Sequence, residues 1–443
     1  MGEAAQARPR AFSIGFRGLQ TWSVAAQFAV DWNWPDDVIK PLASILIRRN
    51  EAALETLKPE SMVTLLTIRF DGSIEPREPV RIKDVKGRLF RVYPGDVVFS
   101  KIDVRNGAIG LAPDDIDCMC VTSEFPVYSV DSQKTDSGYV RLLFRTFAFK
   151  KLLNSMISGA SGRKRIQPTQ LEGVKVPIPA LPIQQKIVAH WETAQLERAT
   201  ANTALSTLVS ELHSWLAKQT RGFDQVTCSK VFLADYQNTR QWDVKAGRAA
   251  AFIAANPNFL RLGDYTEECT ETVRPWDEPE KEWPIYGVNN KEGVFLSSIQ
   301  VGTEFNAPYK QLEKDWFFHN PTRANVGSLG IVPEVPSDAI TSPEYQVWRL
   351  KGGFLPDFMA LMLRTDYFLA LVAFNRVGGV KQRMYYANLA EIRLPEISMC
   401  MQKRFAAQRQ EIVASIKAAN EKLVRRKEEI EKMILGTRPV EVH

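Results

Sequence analysis

The chain contains little that would mark it as a secreted, membrane-bound or metal-stabilised protein. No apolar run reaches the roughly 18 residues of a membrane span, because polar side chains interrupt even residues 14–30. We therefore expect neither a signal sequence nor a membrane helix. The five cysteines are scattered and odd in number, which disfavours a disulfide framework or structural zinc site and predicts a reduced, cytoplasmic protein without a metal. The length of 443 residues, with 45% apolar and 24% charged residues, predicts two or three ordinary folded domains.

The sequence also lacks recognisable catalytic apparatus. There are only four histidines, and neither a Gly-x-x-x-x-Gly-Lys phosphate loop nor a Gly-x-Gly-x-x-Gly turn occurs. Asn306-Ala307-Pro308-Tyr309 is similar to the Asn-Pro-Pro-Tyr box of adenine methyltransferases. Its second residue differs, however, and no glycine-rich strand end precedes it, so we predict a turn here. The sequence predicts a non-catalytic chain.

The second half of the sequence repeats the first at an offset of 218 to 220 residues. Val97-Val98-Phe99 aligns with Trp316-Phe317-Phe318, and Arg145-Thr146 aligns with Arg364-Thr365. Residues 106–110 align with residues 325–330 if one residue is inserted. Matches in one order over most of each half predict a duplicated architecture. Short strand-like runs, such as 62–70 and 125–130, and denser helix-spaced runs at 139–158 and 357–375 predict mixed α/β (α+β) halves.

Each half closes on a segment in which apolar residues recur with a period of 3.5. This period predicts two long helices that pack on each other along a seam of roughly 43 Å. The alternative is two surface helices that each pack only on their own domain. We predict four parts: residues 1–182, a helix at 183–220, residues 221–396 with a link at 221–256, and a helix at 397–436. The predicted seam residues are Ile187, Trp191, Leu205, Leu208, Leu212, Trp215, Ile412, Ile416, Leu423, Ile430 and Met433.

The positive charge is concentrated in two loops, although the net charge of +6 is mild. Arg163-Lys164-Arg165 follows a Gly/Ser-rich stretch, and Lys381-Gln382-Arg383 follows Gly378-Gly379 at the equivalent place in the repeat. Basic side chains beside flexible glycines suit contacts with phosphates and base edges. A second, weaker group of candidate DNA-binding residues follows a predicted strand in each half. The alternative is a solvated basic loop. The predicted DNA-binding residues are Lys101, Arg105, Asn106, Arg163, Lys164, Arg165, Gln167, Arg323, Asn325, Lys381, Gln382 and Arg383.

The order of domain, helix, domain, helix resembles the DNA-specificity subunits of type I restriction–modification systems. In that family an Ile/Pro-rich stretch followed by Gln opens each long helix, as residues 176–187 do here. Residues 392–405 are similar but have lost the later prolines. Residues 260–265 resemble the usual domain start, whereas the first-half counterpart, residues 40–43, lacks its Gly-Asp.

The resemblance implies two target-recognition domains joined by two long antiparallel coiled-coil helices. Each domain would read one half of a bipartite site in double-stranded DNA. The helices would recruit two methyltransferase subunits and, through them, the restriction–translocation subunits. S-adenosylmethionine, ATP and Mg²⁺ would belong to those partners, and this chain would carry no cofactor. Two alternatives stay open: a DNA adenine methyltransferase or fused restriction enzyme with its own catalytic centre, and a scaffold whose basic loops are incidental.

Overall fold

A computed structural model describes residues 30–155, 165–234, 243–379 and 381–440. The chain divides into two compact units: residues 1–197 with 420–443, and residues 198–419. The elements of the first unit, with the helix that ends beyond it, are β1 Ile39–Pro41, β2 Leu46–Arg49, α1 Ala53–Thr56, β3 Met62–Ile68, β4 Ile74–Pro76, β5 Val80–Arg81, β6 Leu89–Arg91, β7 Val97–Phe99, β8 Ile109–Leu111, β9 Met119–Thr122, β10 Val127–Val130, α2 Ser137–Arg145, α3 Phe147–Ser155, α4 Pro168–Glu172, β11 Lys175–Pro177 and α5 Leu181–Gln219.

The elements of the second unit repeat most of this order from its first strand onward. They are α6 Phe223–Cys228, α7 Val244–Ala255, β12 Leu260–Arg261, α8 Leu262–Tyr265, β13 Thr266–Glu268, β14 Thr272–Val273, β15 Glu282–Asn289, β16 Gly293–Val301, β17 Tyr309–Gln311, β18 Phe317–His319, β19 Leu329–Ile331, β20 Ile340–Thr341, β21 Gln346–Leu350, α9 Pro356–Met362, α10 Asp366–Asn375, α11 Tyr386–Leu389, β22 Arg393–Leu394 and α12 Met399–Leu435, which ends in the first unit.

The two units share their strand pairing. The first has an antiparallel sheet of order β2-β10-β7-β8, matched in the second by β13-β21-β18-β19. A second sheet is mixed in both: β3 runs parallel to β9, and β15 runs parallel to β20. A small antiparallel pair, β1 with β11 and β12 with β22, brings residues 39–41 and 260–261 to the residues just before the long helix that follows β11 or β22. The predicted duplicated, mixed α/β fold is confirmed.

The aligned Arg-Thr pairs have a structural reason. Thr146 and Thr365 stand at the start of α3 and α10, where the hydroxyl oxygen of each accepts a hydrogen bond from the N–H three residues on, at 3.1 and 3.2 Å. Threonine at this position satisfies an otherwise unpaired helix N–H group. The threonine therefore stops one helix and starts the next, which divides each helix predicted at 139–158 and 357–375 into two.

The predicted insertion between residues 106 and 110 is wrong. The 3₁₀ turns Val104–Asn106 and Ala324–Val326 both end at a glycine with positive φ, Gly107 at 106° and Gly327 at 91°. These glycines align at a constant offset of 220, so Asn325 takes the place of Arg105 rather than of Asn106. Because a left-handed residue strongly favours glycine, the turn geometry fixes the alignment more firmly than the repeated asparagine does.

Within each unit, the local stretches of the two long helices run antiparallel. In the first unit Lys422 Nζ lies 2.6 Å from Glu197 Oε1, and Glu429 Oε2 lies 2.6 Å from His190 Nε2. In the second unit Arg404 Nη2 lies 2.7 Å from Glu211 Oε1. The division between the units falls inside both helices. The four domain boundaries given above remain a prediction.

A buried glutamine fixes the start of each long helix. The Gln184 amide accepts hydrogen bonds from Thr135 and the Asp136 N–H and donates to the carbonyls of Lys134 and Pro179, at 2.6 to 3.1 Å. Gln402 accepts from the Leu355 N–H and donates to the carbonyls of Gly353 and Ile397. A side-chain amide has two donors and an acceptor oxygen, so one residue can join a loop to a helix terminus.

Candidate nucleic-acid interface

Two loops of the second unit meet at the carboxyl end of β18. The first follows the strand and carries Arg323, and the second is a hairpin closed by two backbone hydrogen bonds between Val377 and Arg383, at 2.9 and 2.8 Å. The Met384 N–H donates to the Pro321 carbonyl at 2.8 Å, which joins the hairpin to the first loop. The structure thus brings together the two groups of residues predicted in this half.

Arg376 and His319 support this junction, and neither was among the predicted site residues. Arg376 Nη2 donates to the carbonyls of Gln382, at 2.6 Å, and Thr322, at 3.2 Å. His319 Nε2 lies 2.9 Å from the Met384 carbonyl, and burial lowers the pKa of His319 to about 4. The imidazole is therefore neutral at pH 7 and can donate this hydrogen bond without a buried charge. A lone histidine at a strand end gives no sequence signal for such a role.

The predicted residues of the second unit differ in how free their side chains are. Arg323 and Lys381 are exposed, and within the described part of the chain no hydrogen bond or ion pair engages their side chains. Arg383 Nη1 lies 3.4 Å from the Tyr385 hydroxyl, and that hydrogen bond raises the pKa of Arg383. Gln382 and Asn325 are half-buried, and the side-chain amide oxygen Oε1 of Gln382 accepts a hydrogen bond from Lys245. Two free cations therefore stand beside amides that can read bases.

The first unit has the same junction. The Ile166 N–H donates to the Lys101 carbonyl at 2.9 Å, the counterpart of the bond between Met384 and Pro321. Lys101 Nζ donates to the Ser123 carbonyl at 2.6 Å, and Arg165 lies 3.5 Å from Glu124. Asn106 and Gln167 are exposed. Arg163, Lys164 and the Arg105 side chain lie outside the described residues.

The residues predicted for the helix seam lie on the covered side of both helices. Ile187, Leu208, Leu212, Leu423, Ile430 and Met433 are buried, whereas Trp191, Leu205, Trp215, Ile412 and Ile416 are half-buried. Leu216 and Ile434 are fully buried but were not predicted. The helix ends pack into the core of their own unit as well as on each other. That packing buries a wider face than a heptad stripe specifies.

Other candidate features are absent from the part of the chain that the structure describes. There, no group of three or more His, Cys, Asp or Glu side chains could hold a metal ion, and no helix is long and apolar enough to cross a membrane. Asn306-Ala307-Pro308 forms the connection into β17, and the ring of Tyr309 packs edge-on against Phe305 with centroids 4.8 Å apart.

Residues 90–197 match a family model described as the type I restriction modification DNA specificity domain. The predicted resemblance is confirmed over these residues. The matched segment includes the loop pair of the first unit and the start of α5. No curated protein matches the chain.

Solved structures of similar chains include the HsdS subunit from Thermoanaerobacter tengcongensis, with 14% identity over 90% of this chain and 97% of that chain and a TM-score of 0.34. The type I restriction–modification S subunit from M. genitalium is 11% identical over 93% of this chain and 97% of that chain, with a TM-score of 0.42. A structure from a study of assembly and conformational transition of the type I restriction–modification system is 14% identical over 91% and 96%, with a TM-score of 0.41.

Proposed function

We propose that this chain is the DNA-specificity subunit of a type I restriction–modification complex and that each unit reads one half of a bipartite site in double-stranded DNA. One observation carries the proposal: the same backbone hydrogen bond, from the residue after each basic cluster to the loop that follows β7 or β18, recurs in both units beside basic and amide side chains. The specificity-domain match over residues 90–197 supports it. Two different readers in one chain recognise a site that need not be palindromic.

The two kinds of side chain divide the work of recognition. The exposed cations Arg323 and Lys381 contact phosphates, which position the protein without reading the sequence. Gln382, Arg383 and Asn325 read base edges, because Arg pairs with guanine and Gln or Asn with adenine. In the first unit Lys101, Arg105, Arg163, Lys164 and Arg165 supply positive charge, and Asn106 and Gln167 supply amides.

The long helices recruit two methyltransferase subunits and, through them, the restriction–translocation subunits. S-adenosylmethionine, ATP and Mg²⁺ bind those partners, and the complex acts in the cytoplasm. This chain contributes recognition and assembly and transfers no methyl group itself. The separation of reading from chemistry agrees with the absence of a phosphate-loop motif from the sequence.

The proposal is tested by methylome sequencing of cells that express variants together with the partner methyltransferase. Arg323→Ala with Lys381→Ala should lower the extent of modification at all sites, because only phosphate contacts are lost. Gln382→Ala with Arg383→Ala should relax the bases accepted in one half-site only, since each base contact contributes about 1–3 kcal/mol of discrimination. Lys314→Ala, an exposed lysine just before the opposite end of β18, is the matched control. Unchanged modification in both double variants, or relaxed reading in both half-sites, would refute the proposal.

A further inference from the structure

A cavity of about 420 Å³ lies in the first unit and is not part of the loop pair described above. Its lining comes from the turn after β3, the end of α2, the start of α3, and the stretches of α5 and α12 that belong to this unit. Cavities of a few hundred Å³ are the size of small-molecule sites. The walls combine apolar side chains, among them Trp191, Leu142 and Ile430, with charged ones.

Four cations and two acids line the cavity. Arg145 and Lys150 are half-buried, whereas Arg141 and Lys427 are exposed. Of the two acids, Glu431 is already engaged, because its carboxylate accepts hydrogen bonds from the N–H groups of Phe147 and Ala148 at 2.8 and 2.9 Å. The cavity therefore has an excess of positive charge.

The deepest cation is held in a fixed position. Arg145 donates hydrogen bonds to the carbonyls of Gly107, at 2.9 Å, and Ile109. These two bonds leave other N–H groups of its five donors for a ligand. Its guanidinium occupies the space that a Cβ at residue 72 would need, and the φ of 78° at Gly72 also disfavours any residue with a side chain. Burial, followed by the charges of Arg145 and Lys427, lowers the pKa of Lys150, so this lysine is held near like charges.

The second unit provides an internal comparison. The corresponding cavity, lined by Gly293, Arg364 and Arg409 among others, measures about 160 Å³. Arg409 stands where the first unit has Trp191 and forms an ion pair with Asp357. At the repeat offsets, Arg141, Lys150 and Lys427 correspond to Ala360, Leu369 and Val209. The fold therefore does not require these three cations, and the first unit alone has them.

We propose that this cavity binds a small phosphate-bearing organic molecule of about nucleotide size. Arg145, Lys150 and Lys427 hold the phosphate through charge-assisted hydrogen bonds, which are the strong ones. The organic part lies against Trp191, Leu142 and Ile430. The proposal does not depend on the proposed DNA-reading function, since the cavity lies outside the loop pair and its test uses the full chain without partners.

The test is calorimetry on the full chain with adenosine monophosphate, inorganic phosphate and adenosine as probes. We expect saturable binding of the monophosphate at one site, and weaker binding of phosphate or adenosine alone. Lys150→Met with Lys427→Met should weaken it by roughly tenfold or more, because two charge-assisted contacts are lost. Lys432→Met, an exposed lysine on the same helix outside the cavity, should bind as the parent does. Equal affinities in the double variant and the control, or no binding of the monophosphate, would overturn the proposal.

A DNA backbone phosphate has the same chemistry, so a second arm distinguishes the sources. A DNA duplex at the same phosphate concentration and salt should not displace the monophosphate, and the double variant should retain the parent's affinity for duplex. Displacement by duplex, together with weaker duplex binding in the double variant, would show a DNA contact and overturn the small-molecule assignment. Unfolding midpoints of all variants, expected to match because methionine keeps the apolar stem, exclude loss of fold as the cause.

Discussion

The two units are alike in the hydrogen bonds that connect their elements and unlike in the side chains on their exposed loops. The glutamine at each long helix, the threonine between the paired helices and the backbone bond between the loops recur at equivalent positions. The side chains on those loops do not recur: Arg323 stands in the place of Asp103, and Lys381 in the place of Arg163. A position whose side chain must satisfy buried polar groups tolerates few residue types. An exposed loop has no such constraint, so each half can read different bases.

The largest expected effect comes from a charge placed in the helix core of one unit. Leu212 and Ile430 occupy equivalent positions and are 0% and 4% exposed. Leu212→Asp should lower the free energy of unfolding of the second unit by about 4 kcal/mol, and Ile430→Asp should lower that of the first unit by a similar amount. The reason is that an uncompensated buried charge costs several kcal/mol. Urea unfolding with limited proteolysis reports which unit opens. Leu205→Asp, at a half-buried position, should cost less, and Leu212→Met is the control. If either variant destabilised both units equally, this would contradict the conclusion that each unit has its own core.

The second largest expected effect is that acid destabilises the second unit more than the first. His319 has a pKa of about 4 in the folded chain against 6.5 for a free side chain. Between these values the unfolded chain binds the extra proton and the folded chain does not, so stability is lost as pH falls from 6.5 to 4. The loss is on the order of 3 kcal/mol and falls on the second unit, because Phe99, which does not titrate, takes this place in the first. Proteolysis of each unit across this range measures it. His319→Gln should remove the added sensitivity, and if it leaves the pH profile of the second unit unchanged, the titrating group lies elsewhere.

The glutamines offer a finer comparison. Gln184→Ala leaves four hydrogen-bonding groups without their partner, whereas Gln402→Ala leaves three. We expect losses of about 2 kcal/mol, somewhat larger for Gln184, since a buried polar group without a partner costs about 1–3 kcal/mol. Equilibrium denaturation measures both, and the exposed neighbour Gln185→Ala should be neutral. A larger loss for Gln402 would show that the number of bonds does not set the cost.

The last prediction is that Asn306→Ala has no effect. The purified chain should transfer no methyl group from S-adenosylmethionine to DNA, and Asn306→Ala should change neither this result nor the unfolding midpoint, because Asn306 is exposed in a connection. Incorporation of labelled methyl groups into DNA is the measurement. Transfer by the parent chain that Asn306→Ala abolishes would favour the methyltransferase alternative.

The features predicted correctly from the sequence depend on local or periodic signals. The heptad pattern of α5 and α12 and the repeated Arg-Thr pairs lie within single segments, so they can be read without knowing what packs against them. The roles of Arg376 and His319 depend on contacts with Thr322 and Met384, which tertiary folding brings together. The turns at Gly107 and Gly327 show the same limit, since the repeated asparagine is visible in the sequence, whereas the positive φ of each glycine is a property of the folded backbone.

The division of the chain has a consequence for synthesis. Residues 198–419 form the second unit without interruption, whereas the first unit needs residues from beyond 419. Asn33 and Trp34 donate hydrogen bonds to the carbonyls of Leu435 and Ile434, and Ile430, Met433 and Ile434 complete the same core. During synthesis, the N-terminal part of the first unit therefore keeps an uncovered apolar face until residues beyond 419 have been made, whereas the second unit can complete its core earlier. Domains usually fold in the order of their synthesis, but here the order of completion is reversed.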